Sequence, residues 1–421
     1  MVQDISAVSN DDTTGEAPDK SASMSNSTRP PTVLQVLPEL VTGGVERGTV
    51  DIAGAIVDGG GRAIVASAGG PLTHELVRLG AEHVTLPANS KNPFVIQKNI
   101  HRLADLAIAE NVDIIHGRSR ASSWSAMYAA KKSGKHFITT FHGTYGHTNG
   151  LKRAYNSVMT KGTRVIAISN FIAGHIRQVY GVPAANIRVI PRGVDLFRFN
   201  PEVVSRERII SLAEKWRLPD GVPVIMLPGR LTRWKGQKVF IEAIKELGRR
   251  DIQCLIVGSD QGRHTYRREL ERFIESHGMT GSIHVIGHCD DMPAAYMLAD
   301  IVVSASLEPE AFGRVAAEAQ ALGRQVIAAD HGGARETVIH GETGWLTPPG
   351  DAKALASTIS AVLARSDAGR QKLSERAKLH IQESFSKERM CERTLDVYND
   401  VLSLYPNDSG NPRNPRKPGS S

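Results

Sequence analysis

"ADIVVSASLEPEAFGRVAAEAQALGRQVIAAD" (299–330) reads as strand, loop, helix and second strand. The run IVVSAS is apolar and β-branched with no polar alternation, as in a strand covered on both faces. AFGRVAAEAQAL is rich in small helix formers, and RQVIAAD begins another buried strand. A strand–helix–strand unit of this length belongs to a parallel sheet. Its loop and helix place Glu308, Glu310 and Glu318 around small apolar residues. Packing gives no reason for acids there. Open parallel sheets bind ligands outside the carboxyl ends of their strands, near helix N-termini, and that is where these acids fall.

The same alternation extends in both directions. "TVLQVLP", "RAIVASA", "VDIIHG", "HFITTFH", "RVIAIS" and "IRVIP" form one series of strands separated by helical sequence, ending near residue 191. "VPVIMLPG", "IQCLIVG", "IHVIGH", "DIVVSAS", "RQVIAAD" and "GWLTP" form a second, restarting near residue 222. The expectation is two doubly wound α/β domains, at 31–200 and 201–385. A helix at 386–405 should pack across both. The polar, aperiodic segments 1–30 and 406–421 read as disordered tails.

The chain has 421 residues, 41% hydrophobic and 23% charged, which suits two soluble domains rather than one core. No apolar run reaches the roughly 18 residues of a membrane span, and the acidic N-terminus lacks a secretory pattern. A cytoplasmic protein is expected. Cys254, Cys289 and Cys391 are widely spaced and read as buried thiols in a reducing compartment. The net charge of +7 is uneven: residues 31–200 hold 19 Lys and Arg against 10 Asp and Glu, whereas 201–405 hold 27 against 28. A basic first domain calls for a separate explanation.

Five loops that leave strands carry chemistry. In "ELVTGGVERG" (39–48), Gly43 and Gly44 either admit an anion to the backbone amides of a helix start or make a plain tight turn. In "PGRLTRWKGQK" (228–238), Gly229 and Gly236 bracket Arg230, Arg233 and Lys235. These are surface charges or, given the strand end, ligands of a diphosphate. "VGSDQGRH" and "IGHCDDMP" end strands with Gly258 and Gly287, which would let a flat ring approach the backbone. Asp290 and Asp291 suit a helix N-cap better than a metal. In the fifth loop, a helix starting near Ala311 would set Glu310 at its mouth and Glu318 two turns in, both facing the crevice. A carboxylate accepts hydrogen bonds from two vicinal hydroxyls at once, and the amides of Ala311, Phe312 and Gly313 remain for a sugar or phosphate.

Together these motifs resemble the family 4 glycosyltransferases. "EAFGRVAAEA" is similar to that family's "EGFG" turn with a second Glu eight positions after the first. "GRLTRWKG" looks like its phosphate loop, "HGGARETVIHGETGWLTPPGD" (331–351) like its "GG-x-x-E … G-x-T-G" segment, and "VIPRGVD" (189–195) like its interdomain "NGVD". The resemblance spans about residues 32–400. It implies a GT-B fold, two Rossmann-like domains facing across a cleft, and sugar transfer from a nucleotide donor with retention and no bound metal or other cofactor. By position, Arg230 and Lys235 would hold the donor diphosphate, Glu310 and the following amides the sugar, and Glu318 the ribose. Gly43 and Gly44 would face the phosphate from the acceptor domain, with His142 over the donor sugar. A histidine at a strand end serves as readily as a structural hydrogen-bonding group. Three departures stand out: Ala311 for Gly, Arg192 for Asn and Arg335 for Pro.

The expectation is therefore a hexosyltransferase using a UDP- or GDP-sugar. Its acceptor would be a glycan or glycolipid of lipopolysaccharide or cell-surface polysaccharide synthesis. Arg118, Arg120 and Trp124 in "HGRSRASSW" (116–124) are candidates to meet that acceptor. The basic first domain, with clusters at Lys131–Lys132–Lys135 and Lys152–Arg153, would dock peripherally on an anionic membrane face. Alternatives are a nucleotide-sugar epimerase of the same fold, a catalytically dead binding module, and a nucleic-acid-binding protein suggested by the pI of 9.3. The last lacks interleaved aromatics and a recognised motif, so no nucleic-acid partner is expected.

Overall fold

Apolar runs buried on both faces form strands that pair in parallel, and the computed structural model describes them within residues 29–41, 43–146 and 149–404. The first sheet contains β1 (Thr32–Val36), β2 (Arg62–Ser67), β3 (Glu82–Thr85), β4 (Ile114–Gly117), β5 (His136–Phe141), β6 (Arg164–Ala167) and β7 (Ile187–Val189), in the order β3-β2-β1-β4-β5-β6-β7. The second contains β8 (Val224–Pro228), β9 (Gln253–Val257), β10 (Ile283–Ile286), β11 (Ile301–Ser304), β12 (Gln325–Ala329) and β13 (Trp345–Thr347), in the order β10-β9-β8-β11-β12-β13. The chain reverses its direction of strand addition between β1 and β4, and again between β8 and β11. Loops diverge at such points and leave a crevice. All the expected strands are present. β3 is additional: it is an edge strand with both end residues exposed, so it carries no apolar run.

The expected tails lie outside the described residues except for Arg29 and Pro30. Arg29 pairs with Asp113 at 2.7 Å, and the other carboxylate oxygen of Asp113 accepts from the Thr32 amide, so this start is tied to the first sheet. The chain crosses between domains twice, where Val194 and Ser386 form a parallel bridge. The helix Lys387–Leu404, expected across both domains, follows the second crossing. Its buried Met390, Cys391, Val397, Tyr398 and Val401 join the core beneath the helix Gly44–Asp58 of the first. A separate apolar cluster runs from Phe141 and Val165 through Val194 and Phe199 to Phe312 and Ala316, so the domains share buried surface.

The expected helix start at Ala311 is corrected to Arg314. Gly313 adopts φ +92°, a left-handed conformation that ends the preceding loop rather than continuing the helix backwards. Glu310 therefore sits in that loop, not at a helix mouth. The loop is held from below: the Gly333 amide donates to the Glu310 carbonyl at 2.7 Å, and a Cβ on Gly333 would stand 2.5 Å from Phe312 Cα.

Candidate active site

At the ends of β8 and β11, glycine lets two backbones touch. A Cβ on Gly236 would fall 1.8 Å from the Ala305 carbonyl oxygen, so the single turn Arg233–Lys235 packs directly on the loop after β11. The stem of Lys235 lies over Gly229. Its Nζ reaches Glu310 Oε1 at 2.7 Å, and Ser306 and Ser304 donate to the same oxygen. Burial opposes ionisation of Glu310, but Lys235 and the two hydroxyls outweigh it and hold the carboxyl below its usual range. Arg230, on the same loop as Lys235, is exposed and makes no ion pair among the described residues. Arg233, expected at the crevice mouth, turns away to pair with Glu269 and to lie over the Tyr266 ring.

Glu318 projects from the helix Arg314–Ala321. Tyr296 Oη donates to it at 3.0 Å, and Arg314 Nε lies 3.9 Å away. Burial raises its carboxyl above the ordinary range against those two influences. Ala311 offers its carbonyl to Ser169 Oγ at 2.6 Å, a bond between the domains. The Phe312 side chain is buried against Phe385. The amides of Ala311, Phe312 and Gly313 make no hydrogen bond among the described residues.

The two glycines expected to admit a flat ring differ. A Cβ on Gly258 would stand 2.0 Å from the Gly229 carbonyl oxygen, so the neighbouring loop demands glycine there. Around Gly287 only Arg267 Nη1 comes near, at 3.8 Å, so space does not. Asp291 caps the helix Met292–Leu298 and pairs with Arg208, whereas Asp290 is exposed beside His288. Arg335 is held by Asp330.

Across the cleft, Gly44 opens the helix Gly44–Asp58 and faces the second domain: a Cβ there would lie 3.0 Å from Arg314 Nη2. At the neighbouring Gly43 a Cβ would collide with the Glu46 carboxylate. His142, at the end of β5, has Nδ1 2.8 Å from Arg192 Nη2, while Arg192 Nη1 donates to the Gly44 carbonyl. Burial, with Arg192 and Arg118 adding to it, pushes the His142 imidazole well below its ordinary range.

The acceptor candidates lie differently from one another. Arg118 is 1% exposed, bonds Thr49 Oγ1 and sits behind Gly48, so it lines no open surface. Arg120 bonds Asn156 and stacks over the Tyr145 ring, and Trp124 donates to the Tyr155 carbonyl. Among the described residues no group of three His, Cys, Asp or Glu side chains is placed to hold a metal ion, and the three cysteines are free thiols.

Sequence reasoning missed Arg314, Tyr296, Ser304, Ser306 and Ser169, and it saw Arg192 only as a departure. Ser304, Ser306 and Arg314 lie inside the quoted runs DIVVSAS and EAFGRVAAEA, so weighing every polar residue of those runs would have found them. Tyr296 and Ser169 join the site only through tertiary contact.

Two family models match the chain: "Glycosyl transferases group 1" over residues 209–380 and "Glycosyltransferase Family 4" over 42–198. The chain is similar to a D-inositol 3-phosphate glycosyltransferase of Xylanimonas cellulosilytica, 30% identical over 70% of this chain and 73% of that one. Enzymes of the same name from two Salinispora species match over 57% and 53% of their own length. Among solved structures, a glycosyltransferase from Rickettsia africae is 38% identical, with a TM-score of 0.83 over 89% of this chain and 99% of that one. Anabaena HepE in complex with UDP and glucose, 23% identical, shares the fold with a TM-score of 0.77 over 88% and 99%.

Proposed function

Because this chain belongs to the family 4 glycosyltransferases, and is a glycosyltransferase of the GT-B fold, we propose that it moves a hexosyl group from a UDP- or GDP-sugar to a glycan or lipid-linked acceptor, with retention and without a metal ion. The observation that carries this reading is the Lys235–Glu310 pair at the ends of β8 and β11, with Arg230, exposed and without an ion pair among the described residues, on the same loop as Lys235. Negative charge gathers on the diphosphate as its bond to the anomeric carbon breaks, and Arg230 with Lys235 stabilises it. Glu310, kept anionic, accepts from sugar hydroxyls, Glu318 holds the ribose hydroxyls, and the amides of Ala311, Phe312 and Gly313 donate. His142 lies over the donor sugar, with Gly43 and Gly44 facing the phosphate. The acceptor oxygen bonds to the anomeric carbon on the face the diphosphate leaves, and its proton passes to the departing phosphate oxygen.

A role in lipopolysaccharide or other cell-surface glycan synthesis, with peripheral attachment to an anionic leaflet, belongs to the same proposal. No helix among the described residues is long and apolar enough to cross a membrane. Attachment is supported by Leu151 and Phe94, 81% and 85% exposed, on helices of the basic first domain that also carry Lys152, Arg153 and Lys98. Each Lys or Arg that reaches the surface contributes about 1 kcal/mol.

Incubation with UDP- and GDP-hexoses, alone and with candidate acceptors, tests the chemistry. Slow donor hydrolysis alone, and an acceptor product of unchanged anomeric configuration insensitive to EDTA, are expected. An epimerised donor would replace the reading with the epimerase, and an inverted product would end the retaining mechanism. Sedimentation with anionic but not neutral liposomes, lost at high salt, is expected for the attachment. Equal behaviour of the two vesicle types would remove it.

A further inference from the structure

Arg192 enters the first crossover as a buried arginine, 7% exposed, with no ion pair among the described residues. A guanidinium taken from water without a counter-ion is costly, so a close-packed structure that keeps one has a use for it. Its donors go to two other loops of the first domain: Nη1 to the Gly44 carbonyl, and Nη2 to His142 Nδ1 at 2.8 Å. The fold makes room for this reach. A Cβ on Gly48 would lie 2.7 Å from Arg192 Nη1, inside any normal contact.

Arginine offers donors and no acceptor, so Nδ1 can meet it only with its lone pair. In the neutral ring the single proton must then be on Nε2. That Nε2 is buried and makes no hydrogen bond among the described residues. The other ionisable groups close to the ring are Arg118 and His116, both basic, and Tyr145, whose hydroxyl accepts from the His142 amide. The basic side chains oppose an imidazolium together with burial, and only the Arg118 backbone carbonyl acts the other way.

We infer that Arg192 is a positioning residue that locks His142 as the Nε2–H tautomer, so that the ring meets the donor sugar as a hydrogen-bond donor and is unfit to act as a base. The second half of this statement rests on the proposed function, which sets His142 over the sugar; the first half rests on geometry alone. One residue thereby couples the loop after β1, the loop after β5 and the interdomain crossover.

The test is ¹⁵N NMR of the full chain labelled at histidine, with the His142 signals identified by their loss in His142→Gln. At neutral pH the wild type should show Nδ1 bare and Nε2 protonated. In Arg192→Met that preference should relax to a mixture, with kcat falling about two- to tenfold as the competent tautomer becomes only a fraction of the population. KM for the nucleotide sugar should move less than about threefold, since Arg192 meets Gly44 through its carbonyl and not through the amide that would face the phosphate. Gly48→Ala, which displaces the guanidinium without deleting it, should move both readouts the same way by less. A protonated Nδ1 in the wild type overturns the lock, and that spectrum decides even if Arg192→Met fails to fold. Unchanged His142 signals in Arg192→Met overturn it too. A bare Nδ1 with wild-type turnover in His142→Gln would instead sink the placement of His142 over the sugar, and with it the lock's catalytic use.

Discussion

On the second-domain bank of the cleft, Lys235 and Glu310 lie 2.7 Å apart, and Gly236, Gly258 and Gly333 press backbone against backbone. On the first-domain bank, Arg118 and Arg192 crowd Gly48, and Arg314 reaches Gly44 from the other side. Among the described residues Arg314 has one long ion contact, to Glu318, and neither of the others forms an ion pair. One bank is self-compensated before any ligand arrives. The other keeps Arg118 and Arg192 buried without an ion pair among the described residues, with Glu46 acting on both from nearby. The difference teaches that a bound diphosphate would have to rearrange an ion pair on the second bank, whereas the buried arginines of the first serve its own loops.

The largest effect should come from the pair itself. Lys235→Ala should cut turnover by about 10²–10³, equivalent to about 3–4 kcal/mol, because it removes a cation from the developing diphosphate charge. Steady-state kinetics on the folded variant decide it. Near wild-type turnover would mean that Lys235 serves Glu310 alone, and the comparison between the banks would lose its catalytic meaning.

The first bank should show its strain as pH-dependent stability. Burial pushes the Asp51 carboxyl, on the helix Gly44–Asp58, up to about 6, although Arg47 and Lys387 act the other way. A folded-state value above the unfolded one means the contribution is fully present below about pH 4 and is lost as pH rises through about 6. Two pH units correspond to about 3 kcal/mol. Asp51→Asn should therefore stabilise the chain by up to that amount at pH 8 and by almost nothing at pH 4, read from urea midpoints. A loss of stability at pH 8 would show that the ionised carboxylate is already compensated there.

Glu318→Gln returns to the second bank. A carboxylate that holds two ribose hydroxyls contributes about 1.5–3 kcal/mol, and the ribose is remote from the breaking bond. Donor KM should rise about ten- to a hundredfold with little change in kcat. Because burial raises this carboxyl, wild-type donor affinity should weaken on acidification sooner than for an ordinary glutamate, and the variant should not share that dependence. A collapse of kcat at constant KM would move Glu318 to the reacting centre.

The two banks also differed in how far they could be read. Buried parallel strands announce themselves as apolar runs, and the donor loops follow such strands directly, so Arg230, Lys235, Glu310 and Glu318 stood out. β3 did not, because an edge strand with exposed ends has no apolar run. The helix start after Glu310 was misread because nothing local to EAFGR shows that the glycines at 332 and 333 hold the loop open from 20 residues away. The first bank was less legible still. Arg192 and His142 are 50 residues apart, and only the sheet order brings their loops together. Arg118, singled out for an acceptor, proved buried because the end of β4 is covered by the helix Gly44–Asp58.

The smallest effect concerns the seam between the banks, where the second domain lends the first a carboxylate. Glu336 Oε2 accepts from the Asn170 amide at 2.8 Å and from Asn170 Nδ2 at 3.0 Å, while Oε1 accepts from the Phe171 amide at 2.8 Å. These are free donors in the first turn of the helix Asn170–Tyr180, where backbone dipoles also favour negative charge. Ser169, which caps the same helix, ties the Ala311 carbonyl to it. Capping and dipole contributions of this kind are each about 1 kcal/mol or less when partly exposed, so Glu336→Ala should lower stability by about 1 kcal/mol in urea titration. The effect should be local. Amide exchange at Asn170 and Phe171 should quicken, while the strands of both sheets keep their protection, because neither sheet depends on the contact. Glu336→Gln keeps an acceptor but drops the charge, and should fall between the two. Unchanged exchange at both amides in Glu336→Ala would show that Ser169 and the shared apolar cluster hold the seam without it.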